Sequence, residues 1–228
     1  MEARQLAFEL GHRPALGADD FLVAPTNAEA VAWIDRWPRW PAPGLAVYGP
    51  PGGGKTHLAH VWRARSGALL LPAVGLAGLD LADLARAPRP VAVDGCDGML
   101  AEAALLHLYN LLAENSQYVL LTAREPPSRW AIALPDLRSR LAALPAVAVA
   151  DPDERLLAAL LVKLFADRQI RIESGLVDWL VLRLERSCDA ARRAVAALDA
   201  AALAHGRPIT RALARDVLGD PRAAQEGG

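Results

Sequence analysis

The chain has 228 residues, 53% of them hydrophobic, with a formal net charge of −1. Such hydrophobic content excludes disorder over most of the length, and the near-neutral charge argues against a protein that wraps nucleic acid on its own, so any DNA contact is expected to be indirect or weak. Two distant cysteines, Cys96 and Cys188, a start without an apolar signal core and no apolar run near the ~18 residues of a membrane span predict a soluble, cytoplasmic chain whose cysteines are small buried hydrophobes.

In chain order, Gln5-Leu6-Ala7-Phe8-Glu9-Leu10 comes first. It is an extended strip in which Gln5 offers directional hydrogen bonds and Leu6, Phe8 and Leu10 offer apolar anchors, and it reads either as a terminal edge strand or as a peptide ligand. Trp33, Trp37 and Trp40 crowd one helix and the proline-rich turn after it, a pattern for core packing. Leu45 to Tyr48 is a short buried strand, and His57 to Trp62 opens a helix. Between them runs Gly49-Pro50-Pro51-Gly52-Gly53-Gly54-Lys55-Thr56. A glycine-rich turn that ends in Lys-Thr between a strand and a helix N-terminus holds phosphate through backbone N–H groups, one ammonium and a Mg²⁺-binding hydroxyl. Lys55 and Lys163 are the only lysines beside 23 arginines, so the compact ammonium is kept where a planar guanidinium fits poorly.

Further buried strands are expected at Ala68 to Leu71, Val91 to Val93, Tyr118 to Leu121 and Val147 to Val149, with helices between them. The alternation predicts an α/β fold with a mainly parallel sheet. Pro90 to Asp94 is an apolar strand ending in a carboxylate about 40 residues after the loop, suited to hold the Mg²⁺ that Thr56 also touches; a turn-forming Asp before Gly95 is the other reading. Gly95 stands where hydrolytic P-loop machines often place a second acid, and Asp97 lies two residues on, so slow intrinsic hydrolysis is expected. Thr122 ends its strand in a hydroxyl that suits a γ-phosphate or a water, or has no role. Leu137-Arg138-Ser139-Arg140-Leu141 reads as a solvated basic turn or as the carrier of an arginine that reaches a neighbour's phosphates. His57, His60 and His107 have no metal spacing.

Asp151-Pro152-Asp153-Glu154 is a helix start, with a capping Asp and Pro at the first helical position. From there only helices are expected: a leucine stripe from Leu156 to Phe165, a second helix from about Leu176 to Leu184, a third from about Ala190 to Ala204, and a short last one capped by Thr210. The expected division is a tail at 1–17, an α/β domain at 18–150, a helical lid at 151–219 and a frayed tail at 220–228.

Taken together, Gly49 to Leu58, the strand to Asp94, Leu121 to Pro127 and Pro135 to Leu141 resemble the AAA+ domain of the DnaA replication-initiator family, and within it most of all the Hda regulatory-inactivator branch. The likeness runs from about Gln5 to Leu218, and the few residues beyond Leu218 match the truncated plan of the inactivator, without the initiators' helix-turn-helix domain. It implies a P-loop domain with a parallel five-stranded sheet between helices, followed by a small all-helical lid, holding ADP or ATP with Mg²⁺. The resemblance places Gly49 to His57 around the phosphates, with Lys55 as phosphate ligand and Thr56 and Asp94 at Mg²⁺. It makes Arg140 an arginine finger acting in trans on ATP held by a DnaA-type initiator, and Thr122 joins the expected catalytic set on the reading of its own strand. Gln5, Leu6, Phe8 and Leu10 would dock on the DNA polymerase sliding clamp, Phe8 standing where the pattern has leucine. Asp19, Asp20 and Phe21 fall near the adenine, and packing of Phe21 explains them equally. The lid arginine of the family falls near Asp189, with Arg186, Arg192 and Arg193 nearby, and Arg192 is the substitute. The implied role is a regulator of replication initiation with weak ATPase activity of its own, able to form a homodimer. A self-sufficient P-loop ATPase, such as a helicase loader or a nucleotide kinase, and a pure adaptor are the other classes that the residues admit.

Overall fold

The computed structural model describes residues 22–98 and 100–219, which form two compact units divided between Ala150 and Asp151. In the first, five strands form one parallel sheet: β1 (Gly44–Tyr48), β2 (Leu69–Pro72), β3 (Val91–Asp94), β4 (Val119–Ala123) and β5 (Ala146–Ala148). Their order is β2-β3-β4-β1-β5. The register sets Val47 beside Thr122 on one side and Val147 on the other, and Val93 beside Leu121. All five expected strands are present, displaced by one residue at some ends and by two at the end of β4, which runs on to Ala123.

Side chains alternate across the sheet, as a pleated strand buried on both faces requires. Val91, Val93, Val119 and Leu121 point to one core, where α4 (Glu102–Glu114) contributes Leu105, Leu108 and Leu112, and α5 (Pro135–Ala142) contributes Leu137 and Leu141. A short α3 (Leu81–Arg86) adds Leu84 to the same side. Leu45, Val47, Ala92 and Leu120 point to the other core, covered by α1 (Ala28–Arg36) and α2 (Lys55–Ser66). On that second face the tryptophans pack: Trp40 stacks on the fully buried Trp62 with centroids 5.4 Å apart, Trp37 meets Trp62 edge-on at 6.2 Å, and Trp40 Nε1 donates to Trp33 O at 2.7 Å. Tyr118 donates from its hydroxyl to Pro38 O and closes the cluster.

The second unit holds α6 (Glu154–Asp167), α7 (Leu176–Val181), α8 (Cys188–His205) and α9 (Arg211–Leu218) around Leu157, Leu161, Phe165, Leu180, Val195 and Leu198. A one-residue parallel bridge between Ile172 and Ile209 is added to the helices that the sequence predicts. The cap of α6 is Asp153, whose carboxylate accepts from Leu156 N at 2.7 Å, and Pro152 precedes the cap instead of opening the helix. α8 starts at Cys188, two residues ahead of the expected Ala190, because Ser187 caps it by accepting from Ala190 N, while Thr210 caps α9 through Leu213 N. α7 is shorter than expected, since after Val181 the chain continues only as a turn closed by Leu184 N on Leu180 O. No described helix is long and apolar enough to cross a membrane.

Trp62 is the tryptophan of this cluster that is fully buried. Trp62→Ala is expected to lower stability by about 3–5 kcal/mol in urea denaturation, whereas Leu203→Ala, on a side chain 79% exposed, should stay within about 0.5 kcal/mol.

Candidate nucleotide-binding site

Strand order builds the site before any polar residue enters. β1 and β4 are neighbours, yet the helix after β1 covers one face of the sheet and the helix after β4 covers the other. The chain therefore parts at the carboxyl ends of these two strands, the place where open α/β sheets take ligands. The loop from Gly49 to Gly54 leaves β1 there.

Gly49 is required by a close approach, because a Cβ at this position would lie 2.0 Å from Val149 O. Gly49 N donates to Ala123 O at 3.1 Å, so the loop starts tied to the end of β4. Pro50 O accepts from Gly53 N and from Lys55 Nζ, the latter at 2.7 Å; Lys55 Nζ also donates to Gly49 O at 2.8 Å. Pro51 is exposed and Gly52 and Gly53 complete the turn. Gly54 is the N-cap of α2 and offers no side-chain acceptor, and no acid stands in the first turn. α1, α4, α5 and α7 also lack a side-chain cap, whereas α6, α8 and α9 start with side-chain oxygens that take their first amides. An uncapped helix start with an ammonium folded over the loop is suited to an anion. His57 follows Thr56 in the first turn of α2.

Asp94 joins three segments. Its carboxylate accepts from Thr56 Oγ1, at 2.9 Å to Oδ2 and 3.2 Å to Oδ1, and from Thr122 Oγ1 on Oδ1. Thr122, 1% exposed, also accepts from Gly95 N at 3.0 Å, and its carbonyl accepts from Cys96 N at 2.8 Å. Hydroxyl and carboxylate oxygens gathered in this way are the donors that a small hard cation takes, so Thr56 and Asp94 fit Mg²⁺. Among the described residues no group of three or more His, Cys, Asp or Glu side chains could hold a metal.

The neighbouring acids behave differently from a hydrolytic pair. Gly95 has φ +79°, a left-handed conformation that a side chain rarely adopts. Asp97 accepts from Arg124 N and lies 3.8 Å from Arg124 Nε, so it clips the loop after β3 to the loop after β4. Burial, and then the charges of Asp97 and Asp94, push the Cys96 thiol up to about 12, which leaves it an inert small hydrophobe.

Arg140 sits on α5 with Cζ 5.5 Å from the Tyr109 ring centroid and Nε 3.6 Å from Asp136 Oδ1, its side chain 37% exposed. Burial raises the Tyr109 phenol, and the Arg140 charge opposes the shift. Arg138 is exposed on the same helix. Arg192, in the helical unit, lies in the first turns of α8 with Nη1 3.4 Å from Asp189 Oδ1, while Arg186 pairs with Glu154 and Arg193 with Glu185. Gln5, Leu6, Phe8, Leu10, Asp19, Asp20 and Phe21 lie outside the described residues. Two residues had no signal in the sequence. Tyr109 lies beneath Arg140, and Glu102, at the start of α4, accepts from Ala133 N at 2.9 Å and Leu134 N at 2.8 Å and so fixes the entry to α5.

No protein-family model matches the chain. Among solved structures it is similar to domain III of the Thermotoga maritima replication initiation protein DnaA, with TM-score 0.75 and 17% identity over 92% of this chain and 98% of that one. It is also similar to AMPPCP-bound DnaA from Aquifex aeolicus, with TM-score 0.62 and 15% identity over 78% of this chain and 63% of that one. A mutant of Thermotoga maritima RuvB gives TM-score 0.64 and 16% identity over 85% and 67%. The chain thus has the AAA+ fold of DnaA domain III, and it spans less than two thirds of the longer DnaA structure.

Gly49→Ala is expected to cost about 1–3 kcal/mol, since the new methyl drives the start of the loop away from Val149, just past β5; an unchanged denaturation midpoint would show that the approach to Val149 tolerates a side chain. The hydrogen bonds from Ala133 N and Leu134 N hold the Glu102 carboxyl below its ordinary value of 4.5. Its contribution is therefore complete above that value and disappears as pH falls through the lower folded-state pKa. The stability gap between the parent and Glu102→Gln, measured by denaturation from pH 7 to pH 3, should narrow toward the acid end.

Proposed function

We propose that this chain is a nucleotide-bound AAA+ regulator of chromosome replication of the DnaA-inactivator type. It binds ADP or ATP with the cradle from Gly49 to His57, in which Lys55 faces the phosphates and Thr56 and Asp94 hold Mg²⁺. Bound there, Mg²⁺ neutralises phosphate charge and stiffens the junction of β1, β3 and α2. Docked on the DNA polymerase sliding clamp through Gln5, Leu6, Phe8 and Leu10, it presents Arg140 to ATP held by a DnaA-type initiator. There water adds to the γ-phosphorus while the bond to the bridging oxygen breaks, giving ADP and inorganic phosphate. Arg140 exchanges no proton and stabilises the spreading charge. Thr122 keeps Asp94 oriented, and Asp19 and Phe21 contact the base.

The observation that supports this reading best is Arg140 itself, a guanidinium on the DnaA domain III fold whose outer nitrogens bond to nothing among the described residues. The likeness to RuvB suits a self-sufficient ATPase, such as a helicase loader, as well as a regulator. Gly95 and the engaged Asp97 favour the regulator, because neither places a carboxylate to orient water.

Hydrolysis of initiator-bound ATP, measured with clamp loaded on DNA, is the test. Arg140→Ala should lower the stimulated rate about 10³-fold or more, and deletion of 5–10 should abolish retention on the clamp. Equal stimulation by parent and Arg140→Ala, or rapid turnover by the purified chain without initiator or clamp, would overturn the proposal.

A further inference from the structure

Arg140 does not hang freely from α5. Leu137 and Leu141 turn one face of that helix into the core, and Arg140 lies at the border of this face, over Tyr109 of α4. Tyr109 is itself buried in the cluster that holds Leu105, Leu108 and Leu112, so its ring is fixed from behind. Arg140 Nε is buried without a hydrogen-bond acceptor, and the nearest anion is Asp136, one helical turn back, at 3.6 Å. Leaving a donor unbonded costs free energy, and the ring face and the Asp136 charge offset it. Among the described residues neither Nη group has a partner, and neither is buried without one, so both face solvent. The planar group is therefore held on its lower face and its inner edge, and its outer edge presents paired N–H groups in the fork that suits an oxyanion.

We propose that Tyr109 is a positioning residue for Arg140. Its ring holds the guanidinium plane, Asp136 steers the Nε edge, and the Nη edge is set in advance toward the phosphates of a nucleoside triphosphate bound by another ATPase. The inference rests on the reading of Arg140 as a residue that acts in trans. Tyr109 touches no ligand; it removes the rotamer freedom that a long side chain would otherwise lose at the moment of encounter.

The experiment titrates the full-length chain into initiator loaded with radiolabelled ATP, with clamp on DNA, and records the maximal rate and the half-saturating concentration. Tyr109→Leu should lower the maximal rate about tenfold while half-saturation moves less than about twofold; Tyr109→Phe, which keeps the ring, should stay within about twofold of the parent. Should Tyr109→Leu fail to fold, Tyr109→Met gives the same contrast. Without any partner, NMR of the parent should show the Arg140 side-chain protons displaced upfield by the ring, a displacement kept in Tyr109→Phe and lost in Tyr109→Leu or Tyr109→Met. Loss of stimulation with Arg140→Ala beside parent-like stimulation by Tyr109→Leu or Tyr109→Met overturns this inference alone. So does a parent spectrum with no ring displacement on Arg140. Parent-like stimulation by Arg140→Ala overturns the trans reading and this inference together.

Discussion

One carboxylate, that of Asp94, binds three separate pieces of chain into a site. Thr56 lies 38 residues away and Thr122 lies 28 away, and both give their hydroxyl hydrogens to it. Local propensity does not bring such groups together; the parallel ladders do, by setting β3 beside β4 and β4 beside β1. Thr122 has its hydroxyl engaged twice, as donor to Asp94 and as acceptor from Gly95 N, and so its rotamer is fixed in a nearly dry position. A buried hydroxyl engaged in this way leaves no polar atom of that side chain to satisfy elsewhere.

The sheet supplies the platform because both of its faces are covered by different helices. α2 brings the loop to the end of β1 from one face, and α5 brings Arg140 from the other, anchored by Leu137 and Leu141. The two chemical groups thus rest on separate hydrophobic layers. A change in the tryptophan cluster under α2 and a change in the leucine cluster under α5 act on different parts of the molecule, and residues without mutual contact are expected to add in their effects.

How much the sequence revealed depended on how far apart the interacting residues stand. The loop from Gly49 to Thr56 was legible because its strand, turn and helix are contiguous and the spacing itself carries the mechanism. The five strands were legible from their apolar runs, since parallel strands buried on both sides leave little room for polar residues. The helix start near Asp151 was found but not its cap. Two acids flank Pro152, and only the structure distinguishes Asp153, whose side chain reaches Leu156 N. Asp97 stood open as a possible partner of the metal-side acid until Arg124 was seen to occupy it. Tyr109 beneath Arg140 and Glu102 on Ala133 and Leu134 were not legible at all. Each joins positions about 30 residues apart through side chains, and neither position has a local pattern to mark it.

The turn at Gly95 carries a consequence for the history of the chain. An acid introduced there by a single codon change would meet open space but would have to take up a backbone conformation that costs an L-residue about 1–2 kcal/mol. Its carboxylate would also leave from a left-handed turn and not from the extension of β3. The main chain therefore disfavours a second acid at this place although no side chain blocks it, and a lineage that descends from this protein acquires one only at that cost unless the turn is rebuilt as well.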